Sequence, residues 1–284
     1  MQSLLPRTWS CGPQVLSLER PLVMGIVNVT PDSFSDGGAH ASTTKAVAHA
    51  RRLIEEGADL LDIGGESTRP GAAEVGESEE LARVVPVVEA LAGCGVPISI
   101  DTSKPAVMRE SLAAGASIIN DVRALAEPGA LDVVAASDCG VVLMHMQGAP
   151  RTMQVSPCYE DLIAEVSGFL AARRDALEAA GVARQRIALD PGFGFGKTVE
   201  QNFELVARAQ DFVALGCPLL YGLSRKSSLG AVTGRQVGER LAASLAGAVL
   251  SVSQGAQIVR VHDVAATVDA LKVWRAVQEQ SGRA

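Results

Sequence analysis

Eight times along 284 residues a short apolar run gives way to a longer amphipathic one, and this alternation limits the fold more than any single motif. The short runs are Leu22–Val29, Asp59–Ile63, Val96–Ile100, Ser117–Asn120, Gly140–His145, Arg186–Leu189, Pro218–Gly222 and Gln257–Val261. None alternates apolar with polar as a half-exposed strand must, so each reads as a strand covered on both faces. Between them, Ala46, Ala50, Leu53, Ile54 and Gly57 share one helical face, as do Val264, Val268, Leu271 and Trp274. Gly57, Gly115, Gly181 and Gly216 follow helical runs where stop signals belong. Right-handed crossovers allow an open doubly wound sheet or a closed barrel. Eight units of about 35 residues fit the (β/α)8 TIM barrel best. No linker or composition break interrupts residues 21–284, which read as one barrel domain. Residues 1–20 form an N-terminal extension expected to pair across the barrel bottom.

Charge and cysteine usage narrow the function. Acidic residues number 32 and basic ones 25, a net charge of −7. A broad nucleic-acid surface would need the opposite balance. The five cysteines are widely spaced with no C-x-x-C, so they read as free thiols in a reducing cytoplasm rather than a zinc knuckle or disulfide frame. No continuous apolar stretch marks the first twenty residues as a signal peptide. Leu241–Val259 carries no charge, yet its serines, glutamines and Gly255 divide it into helix, turn and strand. No membrane partner is expected.

In a barrel the strand C-termini converge on one rim, where the chemistry sits. Here those ends are polar: Asn28-Val-Thr-Pro-Asp, Asp62-Ile-Gly-Gly-Glu-Ser-Thr-Arg-Pro, Asp101-Thr-Ser-Lys, Asn120-Asp121, His145-Met-Gln, Asp190-Pro-Gly-Phe-Gly-Phe-Gly-Lys-Thr, Ser224-Arg-Lys-Ser-Ser and Arg260-Val-His-Asp. Three of the five lysines, Lys104, Lys197 and Lys226, fall on the same rim. A Walker A loop is excluded because position 191 is proline, and a dinucleotide fingerprint because Lys197 replaces its third glycine. What remains is a glycine loop open to a flat ligand, with Phe193 or Phe195 to stack on it. The G-x-S-x-G elbow fails at Lys226. Ser227 and Ser228 instead suit the cap of the next helix, whose free N–H groups would receive a carboxylate.

Asp101 and Asp190 are the sharpest pair. Buried strand-end carboxylates need donors, supplied either by a helix start or lysine, or by a ligand edge rich in N–H groups such as an aminopyrimidine. Arg260 and His262 alternate, so both point one way. They read as a phosphate clamp, with a structural ion pair the duller alternative for the arginine. Asn28 is a candidate magnesium ligand through its amide oxygen. Asp32–Gly38 reads as turn chemistry as readily as a ligand loop. His145 between two methionines reads as filling.

These segments, GIVNVTPDSFSDGG, DIGGESTRPGA, SIDTSKP, IND, MHMQG, DPGFGFGKT, GLSRKSS and VRVHDV, in this order from Leu22 to Trp274, resemble the dihydropteroate synthases. The resemblance implies a TIM barrel, usually a homodimer, joining 6-hydroxymethyl-7,8-dihydropterin diphosphate to 4-aminobenzoate with Mg2+. It implies that Asn28 ligates the metal and that Asp101, Asn120, Asp190 and Lys226 hold the pterin. Thr68, Arg260 and His262 would hold the pyrophosphate; Thr68, Pro70, Phe195 and Ser227 would line the aminobenzoate site, with Arg69, Met144 and Gly222 completing the substrate shell. Catalysis would fall to Asp101, Asp190, Lys226, Arg260 and His262. The Asn28–Gly38 and Glu66–Gly71 loops are expected to close over the site. A methyl-transferring pterin barrel and a non-catalytic pterin binder are the alternatives. The Asn28 loop, GESTRPG and SRKS disfavour the first, whose methyl donor has no pyrophosphate to hold, and retention of Asn28, Lys226, Arg260 and His262 disfavours the second.

Overall fold

The structure is a computed structural model that describes residues 6–29, 38–67, 74–148 and 152–282, apart from the side chains of 38–41. After a hairpin, β1 (Thr8–Cys11) and β2 (Gln14–Ser17), run eight parallel strands: β3 (Leu22–Asn28), β4 (Leu60–Gly64), β5 (Ile98–Asp101), β6 (Ile118–Asp121), β7 (Gly140–Met144), β8 (Ile187–Asp190), β9 (Leu220–Tyr221) and β10 (Ile258–Val261). Helices α1 (Gly38–Glu55), α2 (Glu77–Leu91), α3 (Pro105–Ala113), α4 (Ala130–Ala135), α5 (Leu162–Ala179), α6 (Val199–Ala207), α7 (Ala209–Val213), α8 (Ser227–Thr233), α9 (Leu241–Ser253) and α10 (Val264–Gln280) connect or follow them. The strand order is β8-β7-β6-β5-β4-β3-β10-β9, and a parallel bridge from Leu189 to Leu219 closes the ring. The closed barrel, rather than the open sheet, is therefore the fold. All four expected stop glycines have positive φ, from 73° to 116°.

Strand parity explains the two cores. Val23, Val27, Leu61, Ile63, Ile100, Ile119, Val141, Leu143, Leu189 and Val261 pack outward with Ala46, Ala50, Leu53, Val166, Leu170 and Val264 of the helices. Their neighbours of opposite parity, Met24, Leu60, Ile118, Val142, Ala188, Leu220 and Ile258, fill the lower barrel. The seventh strand is shorter than expected: Pro218 has no N–H to pair, although its carbonyl accepts from Leu189 N at 2.8 Å.

The N-terminal extension adds no strand to the barrel. Its hairpin pairs with itself and closes the lower end, with Trp9 and Cys11 fully buried in the inner cluster. Trp9 Nε1 donates to Arg186 O at 2.9 Å, and Gly12 N to Asp138 O at 2.9 Å. Leu241–Val259 resolves into α9, a turn and β10 as expected. Among the described residues no helix is long and apolar enough to cross a membrane.

Candidate active site

Above the apolar layer the barrel interior turns polar, and one carboxylate organises it. Asp62, on β4 with no side-chain exposure, accepts from Ser99 Oγ at 2.6 Å and from Asn120 Nδ2 at 3.2 Å. Arg260 reaches in from β10, giving Nε to Asp62 at 2.5 Å and Nη2 to Asp101 at 2.8 Å. Burial works against the guanidinium charge, and Asp62 and Asp101 more than offset it. The other oxygen of Asp101, Oδ1, is buried with no hydrogen-bond partner. Burial lifts Asp101 to about 7; Arg260 pulls it back, while Asp62 and Glu80 push it further up. The ion-pair alternative for Arg260 is thus present in the structure, made to two acids rather than one.

Asp190 faces the same mouth from β8, in register with Met144 of β7. Its Oδ1 accepts from Gly192 N at 2.7 Å, and burial raises its pKa against Lys226 and Lys197. Lys226, just before α8, is half-buried, and burial lowers it to about 8 while Asp190 supports its charge. Its Nζ lies 4.5 Å from the centre of the Phe195 ring. Gly222 keeps the wall open: a Cβ there would stand 3.7 Å from Arg260 Cβ and 3.9 Å from Lys226 Nζ. Acids and cations therefore lie within electrostatic reach of one another at the strand ends.

The glycines of the β8–α6 loop serve backbone contact, not a phosphate. Gly192 and Gly196 have φ of 75° and 65°, and a Cβ on them would lie 1.9 Å from His145 O and 2.5 Å from Gln147 O. Phe193 is fully buried, edge-on to Phe203 at 6.0 Å, which leaves Phe195 as the ring near the mouth. Thr198 and Gln201 then start α6 with a capping box. Neither Ser227 nor Ser228 caps α8, because Lys226 holds the cap position without a side-chain bond; Ser228 Oγ instead accepts from Asn202 Nδ2 at 3.0 Å. Arg225, at φ 59°, donates to Asp263 from Nε at 3.0 Å and Nη2 at 2.5 Å, tying the residue before Lys226 to the residue after His262.

Asn28 ends β3 opposite Gly64, next in the ladder to Asp101. A Cβ on Gly64 would approach Asp101 Cβ at 3.5 Å, so the glycine leaves room beside the amide. His262 Nδ1 lies 3.0 Å from Ser224 Oγ. Asn120 and Met144 are buried, and Ser227 is exposed at the start of α8. His145 is not the barrel filling its flanking methionines suggest: its odd parity on the chain after β7 sends it outward to Phe169 of α5 and Tyr159. Thr68, Arg69 and Pro70, with most of the two loops expected to close, lie outside the described residues. At the base of the second loop, Lys104 joins Glu66 and buried Glu80, each at 2.5 Å.

Asp62 and Ser99 were absent from the predicted site although the signal was available. Strand parity places Asp62 on the inward side of β4, between Leu60 and Gly64, in register with Ser99. Lys197, which the sequence places on the rim, is buried beneath the glycine loop.

Residues 24–262, which carry the interleaved acids and cations at the strand ends, match the model of the pterin binding enzymes, and the chain belongs to that family. Its relatives include the dihydropteroate synthases of Escherichia coli, 55% identical over 92% of this chain and 93% of that protein, and of Neisseria meningitidis, 53% identical over 95% and 97%. The dihydropteroate synthase of Xanthomonas albilineans with 4-aminobenzoic acid is similar in structure, with a TM-score of 0.91 at 55% identity, covering 96% of this chain and 98% of that one. That of Burkholderia cenocepacia complexed with 7,8-dihydropteroate has a TM-score of 0.89 at 53% identity and 99% coverage of both chains.

Proposed function

We infer that the protein acts as a dihydropteroate synthase of folate biosynthesis, condensing 6-hydroxymethyl-7,8-dihydropterin diphosphate with 4-aminobenzoate to give 7,8-dihydropteroate and pyrophosphate. The observation that carries this reading is the unpartnered Oδ1 of buried Asp101, facing the same mouth as Asp190 and Lys226. A buried acceptor without a donor is costly, and the N–H edge of a pterin supplies one. Asp101, Asn120, Asp190 and Lys226 hold the heterocycle, with Met144 and Gly222 beside it. Thr68, Arg69, Pro70, Phe195 and Ser227 serve the aminobenzoate, and sulfonamides mimic it there.

An arylamine is a weak nucleophile, so the leaving group departs first. The bond between the pterin methylene and the diphosphate oxygen breaks, and its electron pair leaves with pyrophosphate. The resulting cation is delocalised over the pterin ring. Asp101 and Asp190 favour that cation over the neutral ground state. Arg260 and His262 face the departing charge, and fixed electrostatics of this kind contribute several kcal/mol. The amine nitrogen then bonds to the methylene and releases its proton. Asn28 offers one amide oxygen at the strand end, which suits Mg2+, an ion that keeps most of its water and shares substrate phosphates. When bound, the ion neutralises charge on the diphosphate.

The catalytic unit spans residues 21–284, with the hairpin of β1 and β2 as its lower plug. The protein works in the cytoplasm and as a homodimer, and exposed Val232, Val237, Leu241 and Leu250 along α8–α9 support the dimer. Pyrophosphate release is the test, measured with Mg2+ and both substrates and then without 4-aminobenzoate. Release that requires both substrates is expected; binding without turnover would refute the reading.

A further inference from the structure

Lys197 is buried to 2% exposure, and the proposed reaction does not use it. Burial lowers Lys197 to about 7 while Asp190 supports its charge; in its ammonium form it needs an acceptor for each of its three protons. Gly192 O at 3.0 Å, Phe195 O at 2.9 Å and His145 Nδ1 at 3.0 Å receive them, with His145 O farther off at 3.4 Å. His145 accepts because it is neutral, held near 3 by burial and by the Lys197 charge. Phe169 braces its ring edge-on at 5.1 Å. The two carbonyls sit at either end of the tight turn Gly192–Phe195, and the histidine belongs to the end of β7, so one side chain fastens the turn to the barrel.

What this turn carries is the Phe195 ring, 4.5 Å from Lys226 Nζ, and the Phe193 carbonyl, which accepts from Lys226 Nζ. Asp101 is fixed independently of the turn, by its ladder with Gly64 and its bond to Arg260; Asp190 is held by its ladder with Met144 and touches the turn only through Gly192 N.

We propose that Lys197 is a positioning residue, whose grip on Gly192 and Phe195 sets the Phe195 ring against Lys226 on the 4-aminobenzoate side of the site. This rests on the synthase reading, and it weights the two substrates differently: losing Lys197 loosens the Phe195 ring on the aminobenzoate side most, while the pterin edge keeps Asp101 and Asn120 and feels the turn only through Asp190 and Lys226.

The test replaces Lys197 with methionine, which keeps the length and removes every donor. Lys197→Met should raise KM for 4-aminobenzoate by roughly tenfold while KM for the pterin diphosphate moves less than about threefold. In a Phe195→Ala background the same substitution should add no more than about twofold, because the effect passes through that ring. Should the methionine variant fail to fold, Lys197→Gln, with two N–H donors left, reads the same split. Equal rises in both KM values, a loss confined to kcat, or full additivity with Phe195→Ala would overturn the proposal. If the wild type turns over neither substrate, the synthase reading fails separately. Calorimetric titration of 4-aminobenzoate and of 6-hydroxymethylpterin into both proteins then decides whether the split exists.

Discussion

Replacing Asp62 with asparagine removes one negative charge from the centre of the barrel and leaves the shape unchanged. Asp62 is fully buried and holds Arg260 Nε at 2.5 Å, Ser99 Oγ at 2.6 Å and Asn120 Nδ2 at 3.2 Å. Breaking a buried ion pair by removing one partner costs about 3–5 kcal/mol. Asparagine keeps one carbonyl acceptor, and Asp101 still holds Arg260 Nη2, so the lower bound of about 3 kcal/mol applies. Each kcal/mol shifts the melting temperature of a domain this large by about 2–4 °C, which puts the loss at roughly 6–12 °C. Activity should fall as well. Arg260 loses its inner anchor and the Asn120 amide its charged acceptor, and one charge-assisted bond of about 1.5–3 kcal/mol corresponds to roughly 10–100-fold in kcat/KM. Calorimetric melting and steady-state kinetics measure both quantities. Asp269→Asn, on an exposed pair with Lys272 at 3.2 Å, is the control expected to do neither. A melting shift under about 2 °C together with kcat/KM within twofold of wild type would refute the role given to Asp62.

The pH dependence of kcat/KM for the pterin diphosphate should be bell-shaped. Asp101, raised to about 7 by burial, must lose its proton to accept an N–H bond, so the rate rises with pH through that range. Lys226, lowered to about 8 by burial, loses its charge above it, and the rate falls again. The two apparent values belong to the coupled cluster, and a flat profile across it would contradict the assignment. Trp9→Ala should cost about 3–5 kcal/mol of stability in chemical denaturation, because the ring fills the lower end of the barrel. KM for both substrates should hold at permissive temperature, since the plug lies at the end opposite the mouth; a stability loss below about 1 kcal/mol would mean the hairpin is not part of the core.

Much of this architecture was legible because the physics is local. Runs such as Leu22–Val29 are buried on both faces and so lack alternation, and helices that end in glycine announce their own stops. The mouth was legible for a related reason: polar residues at the end of an apolar strand have nowhere to go but the rim. Interactions between distant strands were not legible. Arg260 could be read as a cation on the rim, yet its bonds to Asp62 and Asp101 join residues 198 and 159 positions apart. Only closure of the ring makes them neighbours. Lys197 shows the same limit from the other side, since a lysine in a glycine-rich loop reads as a ligand contact until burial reveals an acceptor on each of its protons. The N-terminal extension lies at the expected barrel bottom, but its self-paired hairpin was not legible, because its buried positions, Trp9 and Cys11, are only two residues.

A crystal structure with 6-hydroxymethylpterin bound tests the account most directly. The N–H edge of the heterocycle should lie about 3 Å from Asp101 Oδ1 and from the Asp190 carboxylate, with its hydroxymethyl arm directed toward Arg260 and His262. A pterin bound outside the barrel mouth, or one whose donors leave Asp101 Oδ1 without a partner, would contradict it.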